Sequence, residues 1–266
     1  MDRMKVGLAL GSGAARGLAH IGVLAVLEKE GIPIDMIAGT SAGAAIGAIY
    51  ASGVNTGRMK EQVLEAGWKR IAPLIDPSLP KTGLIKGKKI KDLLSSYVGG
   101  NIKFSDLKIP FACVATDIDT GEQVVIERGS VPDALRASIS IPAIFTLVKR
   151  EGRYLVDGGL VNPVPVSVVR RMGADFIIAV NVMPDVIDRV EKIRREPNIF
   201  QIIIQSIYIA TYSLIRTSME GADVIIEPEV AHIGASEFLK APELISWGEK
   251  AAQMAIPEIK RKLKNL

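Results

Sequence analysis

The sequence predicts an α/β fold: a single three-layer α/β/α domain whose central sheet is mostly parallel. Short apolar runs alternate with helical segments along the first 50 residues, which is typical of a parallel sheet with helices on both faces. The chain has 266 residues, of which 48% are hydrophobic, so it can bury one large core. Charged residues make up 23%, the ordinary share of a globular protein, which excludes wholesale disorder.

The first elements follow from apolar runs and from helical spacing. Residues 5–10 form a short apolar run typical of a buried parallel strand. Residues 17–30 carry apolar side chains at helical spacing, and Gly31 then provides a stop signal. A second strand is predicted at 35–38. The segment 41–51 is small and apolar on all sides, so we predict a buried helix there.

More polar residues follow, and then a series of shorter elements. Residues 55–97 predict two or three surface helices, with a proline-rich break at 73–80. Strands are predicted at 111–116, 123–127, 142–148, 152–156, 175–182 and 223–226, with turns at 119–121 and 149–151. Helices are predicted at 131–138, 163–172, 198–220 and 242–263. One domain should therefore span residues 1–266, with its core motifs within 5–181 and C-terminal helices at 198–264.

Charge and cysteine content narrow the class of protein. The net charge is +4 and the pI is about 9.1, a balance that usually reflects a solvated basic surface. We therefore predict no nucleic-acid partner. The single cysteine, Cys113, lies in a predicted buried strand and is expected to be a core thiol, so no intrachain disulfide can form.

The apolar stretches are too short or too interrupted to serve as targeting or spanning segments. The N-terminal run is shorter than a signal-peptide core. Residues 199–215 are interrupted by glutamine, serine and threonine, and fall short of the roughly 20 apolar residues of a spanning helix. These features predict a cytoplasmic protein. A cluster of lysines keeps peripheral contact with the inner membrane face as an alternative, because it could dock on anionic lipid. A solvated helix face is the favoured interpretation of this cluster. Its members are Lys81, Lys86, Lys88, Lys89 and Lys91.

The segment Gly39-Thr40-Ser41-Ala42-Gly43 matches the pattern G-x-S-x-G. It lies between a predicted strand and a small-residue helix, where a tight turn projects a serine hydroxyl from the sheet edge. Gly39 and Gly43 lack the Cβ atoms that would clash in such a turn. The N-terminus of the following helix favours negative charge near the serine. Ser41 is therefore the candidate nucleophile, with a plain turn or a helix cap as the simpler interpretation.

A glycine-rich loop at 11–17, with the sequence Gly-Ser-Gly-Ala-Ala-Arg-Gly, joins the first strand to the first helix. A dinucleotide fingerprint needs a glycine where Arg16 stands, and Asp35 precedes the second strand instead of following it. A P-loop would need a Gly-Lys-Ser/Thr sequence that is missing here. An oxyanion hole, built from backbone N–H groups, and a plain turn remain. In the first case Arg16 would stabilise the loop or bind an anionic headgroup.

A serine hydroxyl needs a base, and the sequence offers two histidines and one well-placed carboxylate. His20 lies one turn into the first helix, where a structural role is favoured. His232 follows the last strand, so the chain order fits a triad of Ser41, an acid and His232. Asp157 follows the strand at 152–156 and precedes two glycines. This pattern is typical of a side chain directed into a site where the backbone must approach closely. An ordinary Asp-Gly turn explains the same residues, so the choice of base stays open here.

Together and in this order, the motifs resemble those of the bacterial patatin-like phospholipase family, which is related to the neuropathy-target-esterase proteins. The match runs from Lys5 to at least Asn181. It rests on the loop at 11–17 with Ala19-His20-Ile21-Gly22-Val23-Leu24 behind it, the pentapeptide at 39–43, and Asp157-Gly158-Gly159. Ser12 interrupts the three adjacent glycines that the family often has in its loop. Because an oxyanion hole uses backbone N–H groups, this departure should matter little.

The resemblance implies a patatin-like fold and a Ser–Asp dyad without a catalytic histidine. Ser41 would be the nucleophile and Asp157 the base, and a partly dry crevice should raise the pKa of this carboxyl group. The backbone amides of Gly11, Gly13 and Ala14 would form the oxyanion hole. The supporting positions would be Arg16, Gly17, Gly39, Gly43, Gly158 and Gly159.

The resemblance also implies acyl esters of lipids as substrates, with phospholipase A or lysophospholipase activity and with no metal or cofactor. The helix at 198–220 is a candidate for the lining of an acyl channel, a dimer face, a membrane contact or a core helix, so a homo-oligomer stays open. Two alternatives are kept: a triad esterase that uses His232, and a non-catalytic lipid-binding module on the same fold.

Overall fold

The computed structural model describes residues 3–71, 76, 82–183 and 199–264, and within them most predicted elements are confirmed with small shifts of their ends. The strands are β1 (Val6–Leu10), β2 (Met36–Thr40), β3 (Gly83–Ile85), β4 (Phe111–Asp117), β5 (Gln123–Ile126), β6 (Ala143–Phe145), β7 (Val148–Arg150), β8 (Arg153–Asp157), β9 (Phe176–Val180) and β10 (Val224–Ile226). The helices are α1 (Ala19–Lys29), α2 (Ala42–Ala51), α3 (Thr56–Ile71), α4 (Lys88–Val98), α5 (Val131–Ser138), α6 (Val166–Arg171), α7 (Ile199–Ser218) and α8 (Ala241–Lys264).

The central sheet has the strand order β10-β9-β1-β2-β4-β8-β7, and β5 also pairs with β4. The strands from β10 to β4 are parallel, while β5, β7 and β8 run antiparallel to their partners. The sheet is therefore mostly parallel, as predicted. Parallel strands end at the same edge of a sheet, and Leu10 at the end of β1 lies opposite Gly39 of β2. The glycine loop and the Ser41 turn consequently leave the sheet side by side.

Alternation along the strands divides the core between the two faces of the sheet. On β1, Leu8 and Leu10 belong to one core cluster and Ala9 to the other. The first cluster joins the sheet to α1, α2, α5 and α8, and the second joins it to α6 and α7. One layer of helices on each face of the central sheet gives the three-layer α/β/α arrangement that the sequence predicts.

The segment predicted as one strand at 142–148 is wrong in detail. It forms two strands, because Ala143 has a positive φ of 64° and β6 leaves the central sheet to pair in parallel with β3. The chain then returns in β7, which forms a hairpin with β8. The turn of this hairpin is Glu151-Gly152, both at positive φ, and not the predicted 149–151, since residues 149 and 150 belong to β7.

Two other expectations have partial outcomes. The predicted break at 73–80 lies outside the described residues except for Asp76, and so does Lys81 of the lysine cluster. Lys86, Lys88 and Lys89 are exposed, while Lys91 pairs with Asp133. Among the described helices, none combines the length and apolar character needed to cross a membrane.

Candidate active site

The turn after β2 holds Ser41 in a conformation that an ordinary helix cap does not need. Its φ is 56° and its ψ is −117°, an unfavourable region for a residue with a Cβ atom. The flanking glycines permit this turn: a Cβ on Gly39 would lie 2.5 Å from Ala44 Cα, and one on Gly43 would lie 2.2 Å from the carbonyl oxygen of Leu10. The crowding predicted from the pentapeptide is confirmed, and it distinguishes this turn from a flexible loop.

The geometry of β4 explains how Asp157 reaches Ser41. Strand β4 has β5 along one edge and both β2 and β8 along the other. The even-numbered residues of β4 direct their backbone groups toward this second edge, which pairs with β2 along its first half and with β8 along its second half. Val114 lies opposite Thr40, and Ala115 lies opposite Asp157. Because β2 is parallel and β8 antiparallel to β4, their carboxyl ends meet head-on. We call this meeting point, formed by residues 40–41 and 157–158, the strand junction.

At the strand junction the Ser41 hydroxyl donates a hydrogen bond of 2.5 Å to Asp157 Oδ2. The other carboxylate oxygen, Oδ1, accepts the N–H of Gly159 at 2.8 Å. Both side chains are buried, with relative exposures of 6% for Ser41 and 7% for Asp157. Burial raises the pKa of Asp157 to about 6, although these two hydrogen bonds favour the charged form. The carboxylate is thus ionised at neutral pH and basic enough to accept a proton.

Ser138, at the end of α5, contacts the strand junction, and the sequence interpretation missed it. Its hydroxyl accepts the N–H of Ser41 at 2.9 Å and donates to the carbonyl oxygen of Val114 at 2.6 Å. Val114 is paired with Thr40, the last residue of β2, so the Ser138 hydroxyl bridges β4 to the first residue after β2. This bridge fixes the nucleophile turn. A serine at the end of a short helix carries no sequence signal for such a role.

The glycine loop presents two backbone N–H groups near the Ser41 hydroxyl. Those of Gly13 and Ala14 have no hydrogen-bond partner among the described residues, and both residues line the same pocket as Ser41 and Asp157. The expected role of Gly11 must be corrected. Its N–H donates to the carbonyl oxygen of Val180 at 3.0 Å and so extends the pairing of β1 with β9 instead of facing the pocket.

The other loop residues hold the loop in place. The Arg16 side chain is buried; its Nε donates to the carbonyl oxygen of Ile233 at 2.6 Å, and its guanidinium lies 5.9 Å from the centre of the Tyr208 ring. A Cβ on Gly17 would lie 2.4 Å from the Cβ of Ala42, so the loop packs directly on α2. Of the two predicted roles of Arg16, these contacts support stabilisation of the loop.

Neither histidine lies beside Ser41. His20 is completely buried, its Nε2 is 2.8 Å from the carbonyl oxygen of Gly11, and burial lowers its pKa to about 4. It therefore stays neutral and supports the loop, as expected. His232 is exposed, donates to Glu243 at 2.8 Å and packs against Trp247. The alternative triad is not assembled, because the Ser41 hydroxyl already donates to Asp157.

Two hollows meet at Ser41. The first, which we call the small pocket, has a volume of about 40 Å³ and contains Asp157, Gly13, Gly159 and residues of α7. The second, the apolar cavity, has a volume of about 370 Å³ and runs between α2, α3, α4 and the segment Phe238–Leu239. Ser41, Ala14 and Ile141 line both. The nucleophile therefore stands at the boundary between a tight pocket and a larger apolar space.

The helix predicted at 198–220 contributes one face to the small pocket. Ile204, Ile207, Tyr208 and Thr211 line that pocket, and Ile215 packs in the core below. The opposite face leaves large apolar side chains in solvent, namely Ile199, Ile202, Ile209 and Leu214. The helix is therefore not buried on all sides: one face borders the site and joins the core, and the predicted dimer-face, membrane-contact and acyl-channel roles stay predictions.

No group of three or more His, Cys, Asp or Glu side chains within the described residues is placed to hold a metal ion. The only cysteine, Cys113, is buried in β4, and burial raises the pKa of its thiol to about 12. The thiol is therefore a core side chain, as predicted.

Comparison with known proteins gives consistent results. A family model described as patatin-like phospholipase matches residues 8–170. An NTE family protein of Mycobacterium tuberculosis is 40% identical over 183 residues, which cover 66% of this chain and 49% of that protein. Patatin-like phospholipase domain-containing protein 6 of Mus musculus is 34% identical over 184 residues, which cover 66% of this chain and 13% of that protein. The chain thus spans about half the length of its NTE family relative.

Among solved structures, VipD from Legionella pneumophila is similar in fold. The TM-score is 0.65 at 13% sequence identity, and the match covers 97% of this chain and 67% of that one. With the family match, this likeness confirms the fold class that the sequence predicts.

Proposed function

We propose that this chain, which belongs to the patatin-like phospholipase family, is a serine hydrolase that cleaves acyl esters of lipids as a phospholipase A or lysophospholipase. The observation that carries the proposal is the buried hydrogen bond of 2.5 Å from the Ser41 hydroxyl to Asp157. It joins a strained nucleophile to a carboxylate whose pKa is raised to about 6 by burial. A nucleophile and a base within hydrogen-bond reach are the minimal equipment for acyl transfer.

In the first half of the reaction, Ser41 Oγ attacks the carbonyl carbon of the ester while its proton passes to Asp157 Oδ2. The carbonyl oxygen becomes negative, and the N–H groups of Gly13 and Ala14 are the donors available to it. The intermediate then collapses. The bond from carbon to the alcohol oxygen breaks, the alcohol takes the proton from Asp157, and Ser41 keeps the acyl group as an ester.

In the second half, water takes the place of the alcohol. Asp157 accepts a proton from this water as its oxygen attacks the acyl carbon. Collapse of the second intermediate breaks the bond to Ser41 Oγ and returns the proton to the serine. The fatty acid is released and the dyad is restored, so one carboxylate serves as base and acid in turn.

A carboxylate with an ordinary pKa near 4 would be a weak base for this task. Burial moves Asp157 closer to neutral pH, where proton transfer to and from the carboxylate is better balanced. The bond from Gly159 N–H to Oδ1 leaves Oδ2 directed at the serine. One oriented carboxylate therefore accepts the serine proton and donates it to the leaving alcohol, which a histidine does in a triad.

Covalent labelling tests this proposal directly. A fluorophosphonate probe should label the wild-type chain at Ser41, and the same chain should hydrolyse long-chain lysophospholipids or p-nitrophenyl esters. Ser41→Ala should remove both signals, whereas Ser96→Ala on the exposed face of α4 should leave both intact. Folded wild-type protein that neither reacts with the probe nor hydrolyses any ester would refute the proposal and favour a lipid-binding module.

A further inference from the structure

We propose that the two hollows divide the substrate between them. The acyl chain lies in the apolar cavity along α2, and the alcohol lies in the small pocket beside Asp157. This inference rests on the proposed function. It adds which cavity binds the acyl chain and which residues limit the length of that chain.

The position of the base orients the substrate. Asp157 lines the small pocket and does not line the apolar cavity. When the first intermediate collapses, the carboxyl group must give its proton to the departing alcohol oxygen, so the alcohol must lie on the side of Asp157. The acyl carbon is bonded to that oxygen and to Ser41 Oγ. The acyl chain therefore extends away from Asp157. The apolar cavity is the other space that Ser41 lines, so the chain enters it.

The chemistry of the two hollows matches this division. The apolar cavity, of about 370 Å³, lies within the range of typical ligand pockets and is lined almost entirely by aliphatic and aromatic side chains. The small pocket differs from it in holding the Asp157 carboxylate, while the Ser12 and Thr211 hydroxyls on its wall donate to Met183 Sδ and to the carbonyl oxygen of Ile207. An alkyl chain gains from burial in the apolar cavity, and the departing alcohol oxygen meets its proton donor in the small pocket.

Helix α2 provides a scale for the length of the chain, because it starts next to the nucleophile and runs along the cavity. Ala42, Ala45, Ile46 and Ile49 line the cavity from one face of this helix. With a rise of about 1.5 Å per residue, Ala45 lies about 6 Å and Ile49 about 12 Å along the axis from Ser41. An extended chain advances about 1.2 Å per bond. The chain thus passes Ala45 near its fifth carbon and Ile49 near its tenth, after which it nears exposed side chains at the rim, Leu64 and Leu239.

The closing experiment measures kcat/KM for p-nitrophenyl esters from acetate to palmitate, which keep the alcohol constant. In the wild type we expect kcat/KM to rise from butyrate to decanoate, by up to about fourfold for each methylene, and to level off beyond about ten carbons. A flat profile from butyrate to decanoate would overturn the inference without any variant.

Two variants set the limit at different depths. Ala45→Leu should block the cavity near the fifth carbon and lower the decanoate-to-butyrate ratio of kcat/KM at least tenfold. Ile49→Phe should lower the palmitate-to-decanoate ratio while leaving the slope up to octanoate in place. Ile204→Phe in the small pocket is the matched control, and it should change kcat/KM by the same factor for all acyl lengths. Circular dichroism and fluorophosphonate labelling show that each variant is folded.

The outcomes separate this inference from the proposed function. If all esters are hydrolysed and Ile204→Phe, not Ala45→Leu, changes the acyl-length profile, the chain lies in the small pocket and the division is reversed. The serine hydrolase would then still stand. If Ser41 is not labelled and no ester of any length is cleaved, the proposed function itself fails, and the division of the substrate fails with it.

Discussion

The strand junction and the His232–Glu243 pair are two places where a donor meets a carboxylate, and they differ in every other respect. Ser41 and Asp157 are buried and held by the ends of two strands. His232 and Glu243 have exposed side chains, at 40% and 43%, on a loop and on α8. Burial raises the pKa of Asp157, while the hydrogen bond from His232 lowers the pKa of Glu243. The comparison teaches that contact between a donor and a carboxylate does not by itself make a candidate base, and that burial at converging strand ends distinguishes Asp157 from Glu243.

The largest expected effect is a loss of stability and activity on substitution of a glycine at the strand junction, compared with a glycine beside His232. A Cβ on Gly158 would lie 2.3 Å from the carbonyl oxygen of Val114, which is backbone and cannot move aside. Gly158→Ala should lower the free energy of unfolding by about 3 kcal/mol and abolish ester hydrolysis. In Gly234→Ala, beside His232, the new Cβ would lie 3.1 Å from the flexible Glu237 side chain, so little should change. Urea unfolding checks both, and equal losses would remove the distinction between the two regions.

Neutralising the buried carboxylate should stabilise the protein while it destroys activity. A folded-state pKa of about 6 lies above the ordinary value, so the contribution of Asp157 to stability is most favourable below about pH 4 and is lost as the pH rises through 6. Asp157→Asn should therefore raise the free energy of unfolding at pH 7 by at most about 3 kcal/mol, with the gain disappearing toward pH 4.

The matched control for that stability prediction is Glu243→Gln. Its carboxylate is favoured in the charged form by His232, so its removal should give no gain at pH 7. Urea unfolding at pH 7 and pH 4 measures both variants. A loss of stability in Asp157→Asn at pH 7 would mean that its charge is better compensated than its burial suggests.

The pH dependence of catalysis should follow Asp157. Because the base must be ionised, kcat/KM should be constant above pH 7 and fall below pH 6 to about one hundredth of its plateau at pH 4. His232 is the alternative base, so the profile must be repeated with His232→Ala. The acid limb should stay where it was, whereas its loss in this variant would assign the base to the histidine.

A smaller effect is expected at Ser138. Ser138→Ala leaves the N–H of Ser41 and the carbonyl oxygen of Val114 buried without their partner, which should cost about 1–3 kcal/mol of stability. We expect kcat/KM to fall about tenfold through misplacement of Ser41, with the acyl-length profile unchanged. Ser130→Ala at the other end of α5 removes the helix cap and a hydrogen bond to Asn101, neither of which involves Ser41, and serves as the control. Full activity in Ser138→Ala would show that the turn holds itself in place.

Much of the strand junction could be predicted from the sequence, because its motifs are local. The pentapeptide around Ser41 states its own crowding through Gly39 and Gly43, and the structure confirms it. The sequence leaves the role of Asp157 open, since Asp followed by glycine is also an ordinary turn. What brings it to Ser41 is the shared edge of β4, and that pairing joins residues 116 positions apart.

The parts that could not be predicted depend on such distant partners. The break of the segment 142–148 into two strands follows from the pairing of β6 with β3, which local propensity does not encode. The exclusion of Gly11 from the proposed oxyanion hole follows from one bond to Val180 across the sheet. The role of Ser138 cannot be predicted for the same reason, because its partners are the turn after β2 and the middle of β4, which are distant in sequence.

The measurement that tests the account most directly compares Asp157→Asn with His232→Ala in hydrolysis of one p-nitrophenyl ester at pH 8, with circular dichroism as the folding control. The account predicts a loss of at least a thousandfold in kcat for Asp157→Asn, because the Ser41 proton then has no base. It predicts a change of less than about twofold for His232→Ala, since that side chain pairs with Glu243 away from the site. The reverse pattern, or equal losses, would contradict the dyad.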